Sequence, residues 1–123
     1  MKNIILTSLT LVTIFLSSCE QKYKPEQLKG AWQAVYVKHG DEVVSPAILK
    51  GMGFEFNIDK TYNYAASAND VEQGNYWIEG DLLFTEGENV MKKAVKIETL
   101  TADSLVLGMN DKGASMTMIF IKE

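Results

Sequence analysis

Arginine is absent from the 123 residues: every one of the 12 basic side chains is lysine. The planar fork that grips phosphates and base edges in bidentate fashion is therefore missing, which excludes the usual chemistry of nucleic-acid recognition. The formal charge of -4 points the same way. One cysteine and one histidine are too few for a disulfide framework, a closed zinc site or a Cys/His relay. No catalytic residue, metal ligand or cofactor is assigned on this basis, and the chain is not expected to be an enzyme. Hydrophobic residues at 46% and charged residues at 23% lie far from the composition of disordered chains, and the length suits one domain.

Long apolar runs are also scarce. The one clear case is Ile4 to Leu16, preceded by Lys2. It falls short of the roughly 20 apolar residues that a spanning helix needs, so residues 1–18 read as a cleavable signal peptide. The segment ends in Leu16-Ser17-Ser18-Cys19, which resembles the bacterial lipobox, where the cysteine becomes the new N-terminus and carries the lipid. That resemblance implies lipidation at Cys19, palmitate-type acyl chains each contributing about 0.8 kcal/mol per buried CH2, and a lipoprotein of the bacterial cell envelope, with the outer membrane as expected destination. Cleavage before Cys19 would remove Lys2 and no acid, taking the charge from -4 to -5. Anionic headgroups would repel such a surface, leaving the acyl chains to hold the membrane. Residues 19–29 read as a lipidated tether that tightens into about one helical turn begun by Pro25.

From residue 30 to 123 the hydrophobic period is two, with β-branched and aromatic residues in short runs between turn residues. Eight strands are predicted near 31–38, 54–58, 61–67, 73–79, 82–86, 93–100, 104–109 and 115–122. The one helical candidate is Ser45 to Gly51, with Ser as cap, Pro in the first turn and Gly at the end. Alternation puts Trp32, Ala34 and Tyr36 on one side of the first strand, Phe54, Phe56 and Ile58 on one side of the second, and Met116, Met118 and Phe120 on one side of the last. Opposite faces are mostly polar, as at Lys96 and Glu98. Eight antiparallel strands with one apolar face and no covering helices hide that face by closing on themselves, so the expected fold is all-β: an eight-stranded up-and-down barrel.

Four segments in order add a resemblance: Leu28-Lys29-Gly30-Ala31-Trp32, Phe54 to Tyr62, Gly74 to Leu83, and Ile97 to Leu107. The first is similar to the Gly-x-Trp opening of lipocalin-type barrels, and the set resembles the lipocalin-like domains of small bacterial lipoproteins. The chain departs from true lipocalins in its short length, in having no Arg to pack over Trp32, and in lacking their C-terminal helix. No known ligand is inherited.

Strand counting places tight turns at Asp59-Lys60, Gly80-Asp81 and 101–103 at the end where the first strand begins, and longer connections at 39–53, 68–72, 87–92 and 110–114 at the other. Longer loops suit a binding rim. The acidic residues in these turns read as turn chemistry, Asn69 to Glu72 is too short for a calcium loop, and His39 reads as a loop residue. Inward candidates are Trp32, Phe54, Phe56, Tyr62, Tyr64, Tyr76, Phe84 and Phe120, enough to fill a small barrel and leave a structural or protein-interaction module with no ligand. The other reading is an apolar cup at the long-loop rim for one small apolar molecule, lined by Tyr36, Phe54, Tyr64, Met109, Met116 and Met118 and lidded by Ile48, Leu49 and Met52. Trp32 is expected to plug the tight-turn end, and Trp77, of opposite parity to Tyr76, to be partly exposed.

Overall fold

The computed structural model describes residues 22–67 and 69–123; Cys19 and the signal segment lie outside them. A short helix α1 (Pro25–Leu28) leads into β1 (Gly30–His39), a two-residue β2 (Glu42–Val43), a one-turn α2 (Pro46–Leu49), and seven further strands: β3 (Gly53–Phe56), β4 (Thr61–Ser67), β5 (Asp70–Glu79), β6 (Leu82–Gly87), β7 (Val90–Leu100), β8 (Ser104–Asp111) and β9 (Ala114–Lys122). All pairings are antiparallel. From β3 onward each strand pairs with the next, and β1 lies between β3 and β9, so eight strands close a barrel while β2 only extends β1 at Lys38 and His39. Closure removes every free edge but those of the short hairpin. Among the described residues no helix is long and apolar enough to cross a membrane.

The strands run longer than the alternation suggests, and this changes one rim. Two-residue turns, not loops, join β6 to β7 and β8 to β9, and β5 begins at Asp70 only three positions after β4 ends at Ser67. The turn from β8 to β9 is set by Lys112 and Gly113, both at positive φ, a conformation that suits a tight hairpin. Among the described residues the one long connection is the stretch from Gly40 to Met52, which holds β2 and α2. Ser45 caps α2 by accepting from the Ala47 amide at 3.3 Å, and Pro46 takes the first helical position.

The opposite end is sealed. Trp32 is 1% exposed, and its indole Nε1 donates to the Leu28 carbonyl at 2.7 Å, fixing α1 across the barrel base. Leu28 and Tyr23 belong to the core, so the end of the tether segment packs as part of the fold. Lys122 Nζ stands 5.4 Å from the Trp32 ring centre: a lysine from β9 covers the indole that no arginine is available to cover. Phe56, Tyr62, Leu83, Ile97, Leu105, Leu107 and Phe120 fill the interior above it, each at most 1% exposed.

Three face assignments change. Pairing with β9 shifts register between Ala34 and Tyr36; this bulge takes up one extra residue, so Val37 turns inward at 1% exposed and Tyr36 stands on the outer face. Phe84 also faces out, because Leu83 and Thr85 are the buried residues of β6; it stacks on Trp77 at 5.4 Å with planes 6° apart. Trp77 is half-buried there. Ile58 lies beyond the end of β3 in the turn and is 80% exposed.

Candidate functional site

The alternating faces that seal the base leave the other end unfilled. A cavity of about 260 Å³ opens there, lined by Phe54, Tyr64, Glu72, Thr85, Lys93, Val95, Leu107, Met109, Asp111, Met116 and Met118. Phe54 forms the floor. It stacks on Phe56 at 5.0 Å, tilts against Tyr64 at 4.5 Å and meets the edge of Phe120 at 5.4 Å, so four rings from three strands set the depth at which packing stops. Met109 pairs across strands with Met116, and Leu107 with Met118, which gives β8 and β9 one flexible, polarizable wall.

The facing wall, from β4 to β7, is polar. Glu72 shares the inward parity of Tyr76 and Ile78 on β5 and sits directly across from Tyr64. Its carboxylate Oε2 accepts from the Tyr62 hydroxyl, and its Oε1 lies 3.9 Å from Lys93 Nζ. The glutamate side chain is 18% exposed and the lysine 53%, so the acid is held inside and the base leans to water. Thr85, 8% exposed, stands beside them. Burial pushes the Tyr62 phenol well above the ordinary tyrosine range, and the hydrogen bond to Glu72 and its charge push further. Tyr64 rises for the same first reason, helped by the charges of Glu72 and Asp70. Both phenols stay protonated at neutral pH. At the lip, His39 Nε2 lies 3.3 Å from Asp111 Oδ2, joining β1 to β8 above β9.

Five of the six residues expected to line a cup, Phe54, Tyr64, Met109, Met116 and Met118, meet in this cavity; Tyr36, turned out by the bulge, does not. None of the three expected lid residues lines it. Leu49 and Met52 are buried in the core, held by Gln33 Nε2, which donates to the Leu49 carbonyl at 2.6 Å and the Met52 carbonyl at 3.0 Å, while Ile48 is 58% exposed. The α2 segment thus packs along β1 and does not cover the mouth. Glu72, Thr85, Lys93 and Asp111 are the lining residues that a search for apolar alternation passes over. Among the described residues no group of three or more His, Cys, Asp or Glu side chains could hold a metal ion. A hydrophobic floor with one polar wall suits the capture of a small amphiphile.

No family model matches the chain, and no curated protein matches it. Among solved structures, a lipocalin-like protein from Bacteroides uniformis is similar in fold: the TM-score is 0.60 at 20% identity, covering 79% of this chain and 99% of that one. The likeness supports a lipocalin-like barrel.

Proposed function

We propose that this chain is a membrane-anchored lipoprotein of the cell envelope, held by lipid on Cys19, whose barrel binds one small, largely apolar molecule at its open end. The observation that carries the binding half is the cavity of about 260 Å³ floored by Phe54 and walled by Met109, Met116 and Met118, in a barrel otherwise packed to its base. The anchor rests on the Leu16-Ser17-Ser18-Cys19 sequence after an apolar run. At roughly 30 Å³ per water-sized group the space holds about eight or nine such groups. Eight buried methylenes at about 0.8 kcal/mol each give about 6 kcal/mol, and immobilisation takes back part of it, so a ligand of this size binds no tighter than about tens of micromolar.

The test is a titration of the purified protein with 1-octanol, followed by the methyl resonances of its methionines. Shifts concentrated on Met109, Met116 and Met118, and abolished in Met116→Trp, support the reading. Absence of any shift at millimolar octanol refutes it and favours a structural or protein-interaction module. Native mass spectrometry of undenatured protein then looks for the natural compound.

A further inference from the structure

The cavity has a fixed pole and a movable one. Glu72 is fixed: its stem is inside, one oxygen is held by the Tyr62 hydroxyl, and its Oε1 has no hydrogen bond among the described residues, since Lys93 Nζ at 3.9 Å is beyond hydrogen-bonding range. Lys93 is movable: half its side chain is in water, so its ammonium can swing clear while staying hydrated. Asp111, which faces His39 at 3.3 Å, adds a second carboxylate to the lining, so the lining itself carries two acids and one lysine. The ring of Tyr64, directly across from Glu72, and that of Phe54 packed on Tyr64 line the same cavity, and aromatic rings favour a cation over an anion. A carboxylate ligand would sit against two acids and depend on the one group that is free to leave. An ammonium would meet a waiting oxygen.

We propose that the molecule taken by this cavity is a short amphiphile ending in a protonated primary amine, with its hydrocarbon part on Met109, Met116 and Met118 and its ammonium donating to Glu72 Oε1. This rests on the reading of the barrel as a small-molecule binder. It makes Glu72 the residue that sets polarity of the ligand, the methionines the residues that set its shape, and Lys93 a competitor that the ligand displaces toward water.

The experiment compares octylamine, 1-octanol and octanoate, equal in chain length, in the same methionine-methyl titration at neutral pH. Octylamine is expected to bind about tenfold tighter than octanol, the scale of one hydrogen bond to a charged group, with octanoate weakest. In Glu72→Gln, whose amide oxygen can still accept from Tyr62, the preference for the amine should vanish while octanol binding persists. Lys93→Gln should raise affinity for octylamine. Octanol binding as tightly as octylamine, or an amine preference that survives in Glu72→Gln, overturns this assignment and leaves the binder reading standing. Should Glu72→Gln lose octanol binding as well, Lys93→Gln decides: octylamine affinity unchanged or lowered there overturns the assignment. If none of the three compounds binds, both readings fall together.

Discussion

Replacing each tryptophan by alanine separates the sealed base from the outer face. Trp32 is 1% exposed. An aromatic of this size buries up to about 250 Å², worth up to about 6 kcal/mol at about 25 cal/mol per Å². Alanine keeps part of that contact, so the expected loss from Trp32→Ala is about 4 kcal/mol, within the 3–5 kcal/mol range for such core truncations. The Leu28 carbonyl, on a residue that is 0% exposed, also loses its donor. Trp32→Phe keeps a ring but removes the donor and part of the indole volume, so its cost should fall between the loss of the hydrogen bond, about 1–3 kcal/mol, and that of Trp32→Ala. Trp77 gives up a half-buried ring and its stack on Phe84, the stack contributing about 0.5–1.5 kcal/mol. Water can enter the gap, so no empty cavity remains, and the expected cost is about 2 kcal/mol. Urea unfolding followed by circular dichroism reads both without relying on tryptophan fluorescence. Against a total stability of about 5–15 kcal/mol, Trp32→Ala should move the midpoint about twice as far as Trp77→Ala. Equal shifts would refute the assignment of inner and outer faces.

Stability should also fall in base. Tyr62, Tyr64 and Tyr76 are each raised above their ordinary value of 10.0, burial being the largest cause in every case. The folded state therefore holds these protons more tightly than the unfolded chain. Their contribution is fully present below about pH 10 and is lost as pH rises through the folded values; Tyr62→Phe should blunt the loss in an alkaline unfolding series. Gly74→Ala should be severe, at more than about 3 kcal/mol, because an added Cβ would lie 2.1 Å from the Glu86 carbonyl oxygen and 2.6 Å from Gly87 Cα, both backbone. Gly80→Ala, at φ +62 with nothing within 4 Å, should cost only about 1–2 kcal/mol of backbone strain, and thermal melts of the two variants give the comparison. Cys19→Ala should release the protein from membranes and abolish incorporation of labelled palmitate; retention on washed membranes would contradict the anchor. In anchored protein a spin label at Asn89 should sit farther from the bilayer than one at Asp81, and the reverse order would contradict the tether's attachment beside the sealed end.

The barrel is legible in the sequence because its strands carry alternation, and eight such faces with no helices to cover them have few ways to close. What alternation could not reveal is where it slips. The bulge beside Val35 leaves no mark in the residues themselves, since Ala34, Val35, Tyr36 and Val37 are all acceptable on either face, so uninterrupted alternation places Tyr36 inward. Phe84 is an inward candidate by sequence, yet its neighbours Leu83 and Thr85 are the buried pair, and Thr85 does not advertise burial. The polar wall escaped for a related reason. Glu72 stands four and six residues before Tyr76 and Ile78, and Lys93 two and four before Val95 and Ile97. Extending the strand predicted at 73–79 back by one residue at fixed parity brings Glu72 into the interior, where a search for apolar residues leaves it in a loop; Lys93 opens its predicted strand at the inward parity of Val95 and Ile97, but its charge keeps it off a list of apolar lining residues.

The seam between β1 and β9 sets the order in which this chain can fold. Trp32 pairs with Lys122, and just past β9 the amide of Glu123 donates to the Ala31 carbonyl at 2.9 Å. Until the last strand is available, every partial chain is an open sheet with two raw edges and an unsealed base. Closing a loop of this length is also slow relative to forming neighbouring hairpins. The barrel therefore cannot close before β9 is made, and a chain lacking β9 is left as an open sheet with two exposed edges that can pair with its own kind.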